Sequence, residues 1–161
     1  MQITYRTIEA KDNEALSRII KETLIEYDSA TPGTVFTDDG TNRLSTTFTS
    51  ARSRYFVAIE NGKLLGGAGI NLLPGEPDSV CELQRMFLHP SARGKGIGKQ
   101  LMQLCLEFAK EKDFEICYLE TFPALKEAIH LYEKTGFEYI DHSMGNTGHF
   151  ACTTRMIYRL S

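Results

Sequence analysis

Several classes of protein are excluded by what this chain of 161 residues lacks. No apolar run approaches the roughly 20 residues needed to span a bilayer, and Met1-Gln2-Ile3-Thr4-Tyr5-Arg6 shows no charged-then-apolar leader pattern. Positive charge is not in excess. Lys and Arg number 18 against 21 Asp and Glu, a formal net charge of -3, so the basic balance of a general nucleic-acid binder is missing. The four cysteines, Cys81, Cys105, Cys117 and Cys152, include no CxxC pair, and no metal site is expected from them. Cys105 and Cys117 fall in apolar-patterned segments as small core hydrophobes, and scattered free cysteines suit a reducing compartment. The expectation is a cytoplasmic protein with no membrane, metal or nucleic-acid partner. No repeat, linker or low-complexity tract interrupts the chain, whose length suits one domain over residues 1–161.

What is present reads as alternating strands and helices. Ile3 to Ile8 alternates as a first strand, and Asp12 stands where a helix reaching to about Glu26 would take its N-cap. Leu16, Ile19, Ile20 and Leu24 recur at helical spacing. Ser29 to Thr41 is polar and turn-rich, and a short second helix is expected over Thr41 to Thr49. Tyr55 to Ile59 and Leu64 to Leu73 flank Asn61-Gly62, a strong hairpin signal, although Gly66, Gly67 and Gly69 weaken the second strand. Val80 to Leu88 completes an antiparallel meander. A helix follows from Gly96 to Lys110, with Ile97, Leu101, Leu104, Cys105 and Phe108 on one face. After it come a strand over Ile116 to Glu120, a helix over Leu125 to Thr135 closed by Gly136, and strands over Phe137 to Asp141 and Cys152 to Leu160. The order predicts an α/β domain with a mixed sheet.

The segment Arg93-Gly94-Lys95-Gly96-Ile97-Gly98 lies between a strand and an amphipathic helix. Alternating glycines allow positive φ and close approach of a ligand to the backbone. The first helical N–H groups have no partner within the helix, and the macrodipole adds positive potential there. With Arg93, Lys95 and Lys99 nearby, the turn is suited to phosphates. It is not a Walker loop, which needs Gly-Lys followed by Ser or Thr. Nor is it the dinucleotide fingerprint, whose glycine spacing and parallel βαβ context differ.

Arg93-x-x-Gly96-x-Gly98 resembles the acyl-CoA-binding signature Gln/Arg-x-x-Gly-x-Gly/Ala of the GNAT superfamily of N-acetyltransferases. Leu83-Gln84-Arg85-Met86-Phe87-Leu88-His89-Pro90 is similar to that family's central strand and its exit, and Ala128 to Phe137 is similar to its A-x-x-L-Y-x-x-x-G-F segment. The resemblance covers nearly the whole chain. It implies a mostly antiparallel mixed sheet flanked by helices, with acetyl-CoA as acyl donor and an amine of a small molecule, amino acid or peptide as acceptor. The implied cofactor residues are Met86, Phe87, Leu88, Arg93, Gly94, Lys95, Gly96, Ile97, Gly98 and Lys99. The pantetheine arm would pair with the strand ending Met86-Phe87-Leu88 as an added strand, next to a bulge, and an N–H near Leu88 would face the oxyanion. One departure is Leu125, where many members carry an Asn that contacts the cofactor.

Amine acylation needs a neutral amine, although alkylamines have a pKa of about 10, and a proton for the departing sulfur. Glu82 is the candidate base by its position on the central strand, against the alternative of a strand glutamate paired with Arg85; Glu120 is a second candidate. Tyr132 matches the family tyrosine that faces the sulfur, and it also reads as a core tyrosine. His89 and His130 read as exposed residues. Asn146 and His149, in the loop between the last two strands, are candidates for acceptor contact, as are Tyr27, Asp28, Phe36 and the Asp38-Asp39 pair. Two further readings remain: a non-catalytic acyl-CoA-sensing module, and acetylation of protein N-termini or lysines. A homodimer is left open.

Overall fold

The computed structural model describes residues 2–161. Seven strands form one sheet in the order β1-β2-β3-β4-β5-β7-β6. The strands are β1 (Ile3–Thr7), β2 (Arg54–Glu60), β3 (Lys63–Leu72), β4 (Val80–Leu88), β5 (Ile116–Thr121), β6 (Glu138–Ile140) and β7 (Thr154–Arg159). All neighbours pair antiparallel except β4 and β5. The α-helices are α1 (Asn13–Glu26), α2 (Ile97–Glu111) and α3 (Lys126–Thr135). This is the mixed α/β architecture expected from the sequence.

The two faces of the sheet are built by strand alternation. Tyr55 and Val57 of β2 pack with Leu16, Ile20 and Leu24 of α1. The intervening Phe56 and Ala58 belong to the opposite cluster, with Leu101, Cys105 and Phe108 of α2 and Tyr132 of α3. The apolar positions read at helical spacing on α1 and α2 are thus buried, each set on its own face of the sheet, except Leu104, which is half-buried.

The turns follow local chemistry. Asn61 and Gly62 have φ of +51° and +77°, the left-handed pair that a tight hairpin requires. Asp12 does stand at the N-terminus of α1, but its carboxylate does not cap the helix. It accepts from the Glu9 N–H at 2.8 Å and from both terminal nitrogens of Arg6 at 2.8 and 3.0 Å. Arg6 and the Glu9 N–H hold the Asp12 carboxyl below its usual pKa against the opposing effect of burial.

The helix expected over Thr41 to Thr49 is not formed. Short 3-10 turns occupy Val35–Thr37, Asp39–Asn42 and Leu44–Thr46 instead. The Thr41, Thr46 and Thr47 hydroxyls donate to the backbone carbonyls of Val35, Arg43 and Leu44. Such local side-chain bonds compete with the helical ladder.

The glycines of β3 are explained by what lies on them. A methyl at Gly67 would run into the Tyr55 ring and lie 2.6 Å from the Phe56 carbonyl oxygen, and one at Gly69 would meet Tyr55 and Phe48 at 2.6 and 2.7 Å. Tyr55 is fully buried and donates its hydroxyl to the Arg85 carbonyl at 2.7 Å, so it has no room to retreat. Gly67→Ala should therefore lower unfolding free energy by about 1–3 kcal/mol, measured by urea denaturation. A variant as stable as the wild type would contradict this packing.

Candidate active site

The site begins at an irregularity in β4. Gly67 pairs with Phe87 but Gly69 pairs with Gln84, so two steps along β3 face three along β4. The extra residue is a bulge, and Arg85 within it has φ of +50°. On the other edge of β4, parallel pairing with β5 covers Val80, Cys81 and Glu82 and goes no further. Past Glu82 the two strands part, leaving a wedge between Met86-Phe87-Leu88 and the end of β5. Both the bulge and the parting strands match what the family resemblance implied.

Below the wedge lies the glycine turn. Gly94 and Gly96 have φ of +76° and +78°, and open space surrounds the position where either would carry a Cβ. Gly96 caps α2, so the unpartnered N–H groups at Ile97, Gly98 and Lys99 face out of the helix end. A cleft of about 260 Å3 opens there. Eight of the ten residues named for the cofactor border it: Met86, Phe87, Leu88, Arg93, Gly94, Gly96, Gly98 and Lys99. Lys95 is exposed on the turn, and Ile97 turns its side chain into the core at 1 % exposure, leaving only its backbone for a ligand. A left-handed, uncrowded turn at a helix N-terminus beside three cations fits a pyrophosphate. The wedge above it offers backbone for an amide-bearing arm.

The surroundings of Arg93 were not read from the sequence. Arg93 is held by Glu26 at the end of α1 through two bonds of 2.8 Å, and its guanidinium lies 5.7 Å from the Tyr27 ring centre. Tyr27 borders this cleft. It was expected beside the acceptor, but the C-terminus of α1 brings it to the phosphate turn. Leu125, at the usual Asn position, is an apolar part of the same wall.

A smaller cavity of about 60 Å3 adjoins the cleft, and Met86, Phe87 and Leu125 border both. Glu82 and Tyr132 border this inner cavity together, although they come from β4 and α3. Glu82 is 5 % exposed and accepts a 2.7 Å bond from the Gln84 amide. Burial pushes its carboxyl up to about 7, the Glu120 and Asp38 charges acting in the same direction and Gln84 and Arg85 opposing. Tyr132 is 5 % exposed, with its ring 5.8 Å from that of Phe137. Burial raises the pKa of its phenol, so the hydroxyl keeps its proton. It is at once the core tyrosine and the cavity-facing one.

The rest of the inner wall comes from far apart in the chain. Arg85 donates to Asp38 at 2.9 Å and to the Thr41 hydroxyl at 3.3 Å; it does not pair with Glu82. Burial lowers the pKa of its guanidinium, an effect that Asp38 opposes. His149 Nε2 lies 2.6 Å from the same Asp38 oxygen. Glu120 accepts from the Tyr118 and Thr147 hydroxyls at 2.8 and 2.6 Å. His149 thus borders the inner cavity and Asp38 lies behind it, bonded to Arg85 and His149, while Asp28 and Asp39 are exposed. Phe36 packs into the α1-side core, and Asn146 is pinned away by its N–H to the Pro74 carbonyl at 2.7 Å. His89 is half-buried, its Nδ1 accepting from the Ser91 N–H at 3.1 Å, and His130 is exposed on α3. Among the described residues, no cluster of three or more His, Cys, Asp or Glu could hold a metal ion, and no helix is long and apolar enough to cross a membrane.

Comparison with known proteins defines the class. Residues 14–137 match the Acetyltransferase (GNAT) family. The chain is 40% identical over 156 residues to the uncharacterized N-acetyltransferase YjgM of Escherichia coli, spanning 96% of this chain and 93% of that one. An acetyltransferase of the GNAT family from Staphylococcus aureus superposes with a TM-score of 0.87 at 20% identity, over 99% of this chain and 100% of that one. The fold is shared as well with YncA of Salmonella typhimurium, solved with its cofactor acetyl-CoA, at a TM-score of 0.78 and 20% identity over 100% and 95% of the two chains. This chain belongs to the GNAT family, and with it to the acetyl-CoA-dependent N-acetyltransferases.

The raised pKa of Glu82 has a consequence for stability. Below the unfolded carboxyl pKa of about 4.3 the group is protonated in both states and burial costs little. Between that value and about 7 the unfolded chain ionises first, so stability falls as pH rises, and the full cost is present above 7. Glu82→Gln should therefore be more stable than wild type at pH 8, by roughly 3 kcal/mol at most, with the difference vanishing near pH 4. Thermal denaturation across pH measures this. A difference independent of pH would contradict an ionising Glu82 in the interior.

Proposed function

We propose that this enzyme moves the acetyl group of acetyl-CoA directly to the amine of a small molecule, amino acid or peptide within a ternary complex, with Glu82 as base and Tyr132 as acid. One observation carries the reading: Glu82 and Tyr132 border a single cavity that opens into the cleft above the phosphate turn.

The turn and the Arg93 and Lys99 cations hold the donor by its phosphates, and the Glu26 bond to Arg93 gives way to them. The post-bulge backbone of Met86-Phe87-Leu88 takes the pantetheine arm along the wedge. A carboxyl with a pKa near 7 is ionised in a useful fraction at neutral pH and basic enough to accept a proton from an ammonium, directly or through a water. Glu82 takes that proton. The freed nitrogen bonds to the acetyl carbonyl carbon while an N–H near Leu88 stabilises the oxyanion. The carbon–sulfur bond then breaks, Tyr132 supplies a proton to the sulfur, and the second proton on the nitrogen leaves to restore the Tyr132 phenol, directly or through a water. The enclosed shape of the inner cavity supports a small amine over a protein chain, which would call for an open groove.

Glu82→Gln and Tyr132→Phe should each lower kcat/KM by about a hundredfold while leaving the Kd for acetyl-CoA unchanged. The wild-type kcat/KM should fall below an inflection near pH 7, and Glu82→Gln should lose that inflection. Thiol release from acetyl-CoA and isothermal titration provide the two readouts. Full activity in both variants would remove these residues from the mechanism.

A further inference from the structure

Both basic side chains that border the inner cavity are committed to one loop carboxylate. Arg85 Nη2 and His149 Nε2 lie 2.9 and 2.6 Å from the same Asp38 oxygen. The other two carboxylates have only neutral donors at hydrogen-bond distance. Glu82 has the Gln84 amide, and Glu120 has the Tyr118 and Thr147 hydroxyls. His149 Nδ1 stays 3.8 Å from Glu120. Arg155 faces Glu120 across the β5–β7 ladder but makes no ion pair with it among the described residues.

Buried carboxylates without a counter-charge are costly. These two border empty space instead of packed side chains, and the Tyr132 hydroxyl beside them has no hydrogen-bond partner among the described residues. Val35, Phe87, Leu119 and Leu125 give the wall apolar sides, with Thr121 and Gln84 as its neutral polar members. A narrow space with apolar side chains and two carboxylates that hydrogen-bond no cationic group fits a methylene chain ending in an ammonium. An α-amino acid fits poorly. Its carboxylate, one carbon from the nitrogen, would face Glu82 and Glu120 while Arg85 and His149 remain closed on Asp38. Like charges brought together in this way cost several kcal/mol.

We propose that the acceptor is the terminal primary amine of an unbranched aminoalkyl compound, such as a diamine, with no carboxylate beside the amine, and that Glu120 and Glu82 together receive its ammonium. This rests on the acetyl-transfer reading above. The ammonium gives one proton to Glu82, the nitrogen–carbon bond forms, the carbon–sulfur bond breaks as Tyr132 protonates the sulfur, and the second nitrogen proton returns to the Tyr132 oxygen. The products are the N-acetylamine and the CoA thiol.

The test uses the wild-type chain with acetyl-CoA, reading thiol release against diaminobutane, butylamine, glycine, aspartate and a short peptide with a free N-terminus. The two alkylamines should exceed each of the others in kcat/KM by at least about tenfold. Glu120→Gln should raise KM for butylamine severalfold with the Kd for acetyl-CoA unchanged. Turnover of glycine, aspartate or the peptide equal to or above that of the alkylamines overturns the acceptor class and leaves the transferase standing. An unchanged butylamine KM in Glu120→Gln removes Glu120 from the site. Thiol release with none of the amines, alongside normal acetyl-CoA binding, overturns the transferase reading and this inference together.

Discussion

Arg85 sits at φ +50° in the middle of an otherwise extended strand, a conformation that costs an L-residue roughly 1–2 kcal/mol. The surroundings hold it there. The Tyr55 hydroxyl bonds its carbonyl, and Asp38 and Thr41 bond its guanidinium. From that one extra residue follow the parting of β4 from β5, the wedge of unpaired backbone at Met86-Phe87-Leu88, and the space into which Glu82 and Tyr132 face. The strain is stored where the function needs it, as is common at active sites.

The same economy of design shows in the buried charges. A carboxylate such as Glu82 detracts from stability at neutral pH, and a glutamine would pack there at lower cost. The fold tolerates it because large apolar clusters on both faces of the sheet supply the stability. The phosphate turn and the inner cavity draw on partly different elements, with β4 and α3 common to the two spaces. The outer cleft is made from α1, β4, α2 and α3, and the inner cavity from β4, β5, α3, the 3-10 turn Val35–Thr37 and the loop before β7.

The parts of this site legible in the sequence are those contiguous in it. The phosphate turn is spelled by Gly94, Gly96 and Gly98 with their cations, and the hairpin by Asn61-Gly62. Tyr132 stands out because its helix carries a family pattern. The bulge was legible only through the family resemblance, because an inserted residue in a strand leaves no mark on side-chain type; Arg85 looks like any alternating strand residue. The cluster of Asp38, Arg85, Glu120 and His149 was only partly legible, since its members are brought together by pairing of distant strands and by a loop-to-loop contact. The helix expected over Thr41 to Thr49 failed because hydroxyl-rich segments satisfy their own carbonyls. Tyr27 went to the cofactor side because the length of α1, which no local pattern fixes, decides where its end arrives.

The central claim is that the wedge opened by the bulge receives the pantetheine arm and delivers the thioester to Glu82 and Tyr132. The direct measurement is a crystal structure with CoA bound. It should show pantetheine amides hydrogen-bonded to the backbone of Met86 to Leu88, phosphates on the turn from Arg93 to Lys99 with Arg93 released from Glu26, and the sulfur at the mouth of the inner cavity beside the Tyr132 hydroxyl. CoA seated elsewhere, or lying on the turn with the wedge empty and the sulfur away from Tyr132, would contradict the account.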